Sequence, residues 1–266
     1  TISLSGPVKS SAHYANHQII LMSIKNVSEA LTAAVFVEQL TALSTPEALT
    51  KIKGYFKSGE GQYGAGDEFI GVPMGQVFTL AKAFMDMDLS EIEKLLESPV
   101  HEVRTGAVSI MDFQARRKKT NAERRKALFE LYLRRHDRIN NWDLVDRAAP
   151  YVIGGYLYDK PRDMLYQLAH SKNLWERRTA IVSTFFFIRL GEVADTFQIA
   201  EILLHDPEDL IHKAVGGWLR HAGLTDPPRL TAFLNQHAAV MPRTMLRYAI
   251  EHFEKVQRDH FLNLKQ

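Results

Sequence analysis

The 266-residue chain contains no cysteine. That absence excludes a disulfide framework, a thiolate metal site and a cysteine nucleophile, and it fits a reducing compartment. Long apolar runs are also missing. The run Ile19-Ile20-Leu21-Met22 falls far short of the ~20 residues that cross a bilayer. It also lacks the basic start and small-residue cleavage site of a signal peptide. A cytoplasmic protein without membrane contact is expected. The 11 histidines include no pair at metal spacing on one helix with an acid nearby, so neither a metal nor a cofactor is expected. His101, His205 and His212 read as core or surface helix positions. No nucleophile elbow surrounds Ser183-Thr184. Alternating strand-like runs are scarce.

What is present is a large apolar fraction, 45%, with 24% charged residues. The first ~20 residues show no clear period. They read as part of an N-terminal arm, 1–26, ahead of one helical domain, 27–266. Helix spacing dominates that domain. Ile92, Leu95 and Leu96 fall at i, i+3 and i+4, as do Leu128, Leu131 and Tyr132, and Ile199, Ile202 and Leu203. Helix starts are signalled by Ser90 before Glu91 and Glu93, by Thr45-Pro46-Glu47 and by Asp206-Pro207-Glu208. The run Thr184 to Ile188 continues the period of Ala180 and Ile181, which predicts a buried helix rather than a strand. Residues 58–67 hold four glycines and form the clearest loop. No Gly-Lys-Ser/Thr follows and no strand precedes it, so it is not a phosphate loop.

An internal repeat runs through the domain. His101 to Ser109 matches Trp175 to Ser183 at an offset of 74. Leu210 to Val215 follows Arg178 at an offset of 35, and Met245 to Ala249 follows Lys213 at 34. A missing copy is expected near residue 141. Repeats of this length built from helix pairs predict an all-α solenoid of the HEAT or armadillo kind. In this register Arg104, Arg178, Lys213 and Arg247 share one position. Equivalent positions in a curved stack line one face, which would make a concave basic groove for a phosphate backbone. Pairing of the same cations with carboxylates of neighbouring helices fits the register equally well.

Net charge is +2 and unevenly spread. Residues 1–100 hold 7 Lys+Arg against 11 Asp+Glu, whereas residues 114–147 alone hold 11 against 5. A local basic surface is the footprint of a polyanion partner, and also the look of an ordinary solvated helix face. The central repeat differs from the rest: it reads Trp142-Asp143-Leu144-Val145-Asp146 where the others are basic. Trp142 and Asp146 are neighbours at i and i+4, and an aromatic face beside a carboxylate suits a cation. Asp143 falls near the helix start, where it would cap backbone N–H groups.

Several ordered segments together carry a family resemblance. They are Tyr55-Phe56-Lys57 with the glycine loop and Gly71-Val72, Ser98 to Arg104, and Asn140 to Asp146 with Ala149-Pro150. Leu174-Trp175-Glu176-Arg177-Arg178 and His212-Lys213-Ala214-Val215-Gly216 complete the set. Over about three-quarters of its length the chain resembles the HEAT-repeat alkylpurine DNA glycosylases, the AlkD type of the DNA alkylation repair family. The resemblance implies a monomer acting on double-stranded DNA with alkylated bases and excising cationic N3- or N7-alkylated purines. It implies Asp146 as the catalytic carboxylate, Trp142 packing on the lesion's sugar and Arg178 as a phosphate-binding arginine. The chain departs from the pattern in two places. The family usually places Trp directly after the Gly of its His-Lys-Ala-Val-Gly-Trp motif; here Gly217 holds that place and Trp218 follows one residue later. One residue is about 100° of helix rotation, which turns Trp218 toward a different wall. The stretch after the glycine loop, Gly71-Val72-Pro73-Met74-Gly75-Gln76, lacks the usual arginines. Two rival functions stand beside excision: binding of damaged or branched DNA without chemistry, and a scaffold for a protein partner.

Overall fold

The computed structural model describes residues 31–264 other than Ser58 and Glu60, so the whole of the expected N-terminal arm, 1–26, lies outside the described residues. All regular structure among the described residues is helical, apart from a single bridge between Glu68 and Val100. The helices are α1 (Ala33–Thr41), α2 (Pro46–Tyr55), α3 (Met74–Ala83), α4 (Leu89–Leu96), α5 (His101–Arg116), α6 (Ala122–Arg134) and α7 (Trp142–Ala149). They continue as α8 (Asp163–Ala169), α9 (Leu174–Ser183), α10 (Phe185–Ile188), α11 (Ala194–Ile202), α12 (Asp209–Thr225), α13 (Pro227–His237), α14 (Arg243–Ala249) and α15 (Lys255–Leu262).

The architecture is a helical repeat solenoid. Helix pairs α4–α5, α8–α9 and α11–α12 fold back on themselves, and the second helices form a ladder in which α5, α7, α9, α12 and α14 each pack on the next. The ladder helices begin at residues 101, 142, 174, 209 and 243. The missing repeat copy expected near residue 141 is therefore α7. Of the apolar triads at i, i+3 and i+4, Ile92, Leu95, Leu96, Leu128, Leu131 and Tyr132 are all buried, as are Ile199 and Leu203, while Ile202 is half-buried. Thr45 caps α2 by accepting from Ala48 N, with Pro46 at the first helical position. The start expected at Asp206 lies later. α12 begins at Asp209, while the Asp206 carboxylate accepts from Glu208 N and pairs with Arg177 at 2.5 Å.

Two close approaches position the parts around the site. The buried Glu102 carboxylate accepts from the backbone N–H groups of Ile70 and Gly71 at 3.2 and 2.9 Å, fastening the end of the glycine loop to α5. Gly71 has φ +82°, and a side chain there would meet Thr45 O at 2.6 Å, so only glycine fits. Gly216 lets α12 lie directly on α14: an added Cβ would sit 2.4 Å from Met245 O. Beyond α7 the helix continues through a π-helical stretch, Pro150–Gly154. Pro150 has no N–H to give to the preceding turn, and the widened helix absorbs the lost bond. No helix among the described residues is long and apolar enough to cross a membrane.

Candidate active site

Asp146 is the fifth residue of α7, as Arg178, Lys213 and Arg247 are the fifth residues of α9, α12 and α14. The ladder therefore sets one carboxylate beside a cation of the adjacent helix. Arg178 Nε and Nη2 donate to the two oxygens of Asp146, each at 2.8 Å, and Nη1 donates to Leu210 O at 2.6 Å. Arg178 is only 6% exposed, whereas the Asp146 side chain remains 35% exposed. Each carboxylate oxygen keeps a second lone pair. The result is a carboxylate fixed in orientation by a bidentate fork and still open on one side.

One turn earlier, half-buried Trp142 forms the aromatic wall. Its ring stacks on Phe56 at 6.0 Å and meets the edge of Tyr55 at 6.0 Å. Its backbone is held by Asn141, whose side chain accepts from Trp142 N at 2.8 Å. Asp143 does not cap the helix as expected. Its Oδ2 pairs with His101 Nε2 at 2.8 Å, and the other ring nitrogen of His101 lies 3.2 Å from Asp67. Asp67 also accepts from Arg104 and from Asn141. Burial alone would push the His101 pKa down. The hydrogen bonds and charges of Asp143 and Asp67 prevail and raise it to about 9. For Asp67, burial pushes upward, yet His101 and Arg104 hold its carboxyl below the usual range. A buried ionic chain thus runs from the glycine loop through α5 to the first turn of α7. On its far side Arg147 reaches the wholly buried Asp112 at 3.1 Å and lies over the rings of Phe78 and Phe113. Burial raises the Asp112 pKa and lowers that of Arg147. Sequence reasoning missed both clusters, although His101 opens a repeat motif one position before Glu102 and so sits in the ladder's register.

The profile of the family described as DNA alkylation repair enzyme matches residues 36–253. The chain belongs to this family. Its role is in DNA alkylation repair, with DNA as the substrate. The solved structure of a predicted DNA alkylation repair enzyme from Enterococcus faecalis is similar in fold, with a TM-score of 0.61 at 17% identity. The match covers 80% of this chain and 97% of that one. No curated protein matches the sequence.

Within this family member, the single exposed column of cations expected from the repeat register breaks up. Arg104 is 2% exposed, bound to Asp67 and to the carbonyls of Ser98 and Pro99. Arg178 carries Asp146. Lys213 is half exposed and pairs with Asp209 on its own helix at 2.7 Å, and Arg247 is exposed. Much of the basic stretch 114–147 also has structural partners. Arg125 donates to the carbonyls of Thr120 and Arg117, Arg138 to those of Leu96, Glu97 and Ser98, and Arg135 to Glu93 and Glu97. The alternative left open by the register, pairing with a carboxylate of the neighbouring helix, describes Arg178, whereas Arg104 pairs with Asp67 of the glycine loop.

Trp218 turns to its own wall. Its ring lies 5.0 Å from Phe185 and 5.1 Å from His221, and among the described rings it makes no contact with Trp142. Gly217 is half exposed, and a Cβ added there would meet no atom within 4 Å. The place where relatives are expected to carry an indole is open space. Among the described residues no group of three or more His, Cys, Asp or Glu side chains is arranged to hold a metal ion.

Proposed function

We propose that this protein is a DNA glycosylase excising cationic N3- or N7-alkylated purines from double-stranded DNA. The observation that carries this reading is the Asp146–Arg178 clamp, an oriented and half-open carboxylate one turn from an aromatic wall. An alkylated purine is already cationic, so its glycosidic bond is weak and the base leaves neutral. No general acid is needed. The demand falls on stabilising the oxocarbenium-like sugar as positive charge develops at C1′ and on admitting water. Asp146 would supply the negative charge, and Trp142 a flat surface against the sugar. Lys213 and Arg247 would hold the phosphate backbone, with Arg178 and Arg104 acting on the site through their carboxylate partners.

The deciding measurement is release of 7-methylguanine and 3-methyladenine from methylated duplex DNA by the wild-type protein. A second reading, binding of damaged DNA without excision, is favoured by two details: both Asp146 oxygens are engaged by Arg178, and no ring stands at Gly217. Tight binding with no base release selects that reading.

Two further outcomes are expected. Replacing Lys213 and Arg247 singly with alanine should weaken DNA binding and lower the slope of log affinity against log salt by about one each, because each phosphate contact releases about one counterion. An unchanged slope removes that residue from the interface. Gly217→Trp should fold at least as well as the parent, since glycine inside a helix costs about 0.5–1 kcal/mol relative to alanine. It should also raise excision several-fold by adding a ring worth about 0.5–2 kcal/mol against a cation. Unchanged or lower base release shows that the missing indole does not limit the reaction.

A further inference from the structure

Two turns beyond the Asp146–Arg178 clamp, the ladder changes character. Phe185 follows Arg178 by seven residues, which at ~1.5 Å per residue is about 10 Å farther along the helices. Its ring lies 5.0 Å from that of Trp218. Tyr151 stands nearby on the π-helical continuation of α7, with Arg116 over its ring at 3.8 Å. Arg189, one turn after Phe185, lies over both the Tyr151 and the Phe185 rings, at 5.7 and 5.9 Å. It is exposed and pairs with no carboxylate among the described residues.

From there aromatic surface leads toward the C-terminal ends of the ladder helices through two adjoining clefts. Tyr151, Phe186, Arg189 and Leu190 line a small one of about 170 Å³. A larger one of about 670 Å³ opens beside the start of α6, lined by Phe186, Tyr156, Tyr158, Lys160, Arg125 and Lys126. Phe186 joins the two: its ring meets Tyr151 at 5.5 Å and Tyr158 at 5.7 Å. Glu123 and Asp159 also line the larger cleft, and Asp159 is tied to Lys160. Four cations, Arg125, Lys126, Lys160 and Arg189, thus face two carboxylates. Tyr151, Tyr156, Tyr158, Phe185, Phe186 and Trp218 are all half-buried and keep ring surface in solvent, whereas Phe187 in the same run is wholly buried.

Rings interleaved with cations, next to the helices that carry the clamp of a DNA-repair protein, match an unpaired strand. Its bases stack on aromatic faces and its phosphates meet cations, whatever the sequence. The bases of a duplex are already stacked on one another and would leave these rings unused. We propose that the two clefts form a path for single-stranded DNA continuous with a duplex lying against the clamp, so that the protein seats at junctions of paired and unpaired DNA. Arg189 holds a phosphate on this path, and Phe186 and Tyr158 carry bases. The proposal needs duplex DNA on the ladder and not the chemistry at Asp146.

The test measures binding of the full-length protein to unmodified duplexes that end blunt, in about eight unpaired thymidines, or in as many abasic sugar-phosphates, a length within the range of single-strand sites. Both tail polarities are used. A thymidine tail of at least one polarity should tighten binding fivefold or more over the blunt duplex. The abasic tail, which carries the charge without the bases, should give a smaller gain. Arg189→Ala should lower the salt slope for the thymidine-tailed DNA by about 0.7, the value of one contact to a single strand, and leave the blunt-duplex slope unchanged. Phe186→Leu keeps apolar contact with Gly155 and removes the ring, and it should erase the difference between thymidine and abasic tails. If Phe186→Leu does not fold, the tail comparison and Arg189→Ala decide. A thymidine tail without the gain, an abasic tail that matches it, or an unaltered slope in Arg189→Ala overturns the proposal. The DNA carries no lesion, so these outcomes are read separately from excision: loss of the tail effect leaves the glycosylase reading intact, and absence of base release leaves the strand path intact.

Discussion

Asp146→Asn should lower base release by about a thousandfold while leaving DNA affinity nearly unchanged, and it should cost some stability because the buried Arg178 guanidinium loses its ionic partner. At an effective dielectric constant of about 20, a unit charge ~4 Å from the developing cation contributes about 4 kcal/mol. Arg178 stands directly behind the carboxylate. At ~8 Å from the same centre it opposes with about 2 kcal/mol, so the pair supplies about 2 kcal/mol net. The amide removes the attraction and leaves the guanidinium's repulsion, so the change is the full ~4 kcal/mol, about three decades in rate. A corollary separates this account from a purely steric one. Asp146→Asn combined with Arg178→Met should recover about 2 kcal/mol of that loss, roughly thirtyfold. Ground-state affinity is little affected, because the charge acts on the transition state. Undiminished release of 7-methylguanine by Asp146→Asn would take the carboxylate out of the mechanism.

His101→Leu should destabilise the protein by about 3–5 kcal/mol, the usual cost of leaving a buried charge without its partner. His101 is wholly buried between Asp143 and Asp67, and Asp143 has no other partner for its ionised form among the described side chains. The same pair predicts how stability depends on pH. The folded-state pKa of His101 is raised from 6.5 to about 9. Its contribution, about 3 kcal/mol, is complete below pH 6.5, declines above it and is gone once pH rises through about 9. Asp67 acts at the other end. Its folded pKa is depressed, so its contribution is present above the ordinary carboxylate range and is lost as pH falls through the lowered value. Urea titrations between pH 6 and pH 10 read this directly. Wild type should lose stability steadily from pH 6.5 to 9, and His101→Leu should start lower and show little of that slope. A flat wild-type profile across that interval would mean that the imidazole is not held protonated. Because the network ends at the first turn of α7, excision should fade over the same alkaline interval as Trp142 loses its anchorage.

Particular residues show how far local reasoning reaches. The fold was legible because helix period and repeat length are properties of short windows: Ile92, Leu95 and Leu96 sit on one face whatever surrounds them. The family motifs were legible for the same reason, since each is a run of adjacent residues. The cations at the repeat position were legible as a register, but not as a surface. Whether Arg178 meets a phosphate or a carboxylate depends on what the neighbouring helix holds at the matching height. There α7 substitutes Asp146 for the cation of the other repeats.

The amino-acid sequence by itself determined the all-helical repeat, the start of the central ladder helix near residue 141, and the pairing of Trp142 with Asp146 on one helical face. All of these depend on spacing of ten residues or fewer, or on a period that recurs. The tertiary structure alone decided the rest. It joined Asp67 to His101 across 34 residues and Arg178 to Asp146 across 32, turned Trp218 toward Phe185, and left the space at Gly217 open. Those contacts link different helices, and their energies come from desolvation and charge pairing in a packed interior, which no local window of sequence contains.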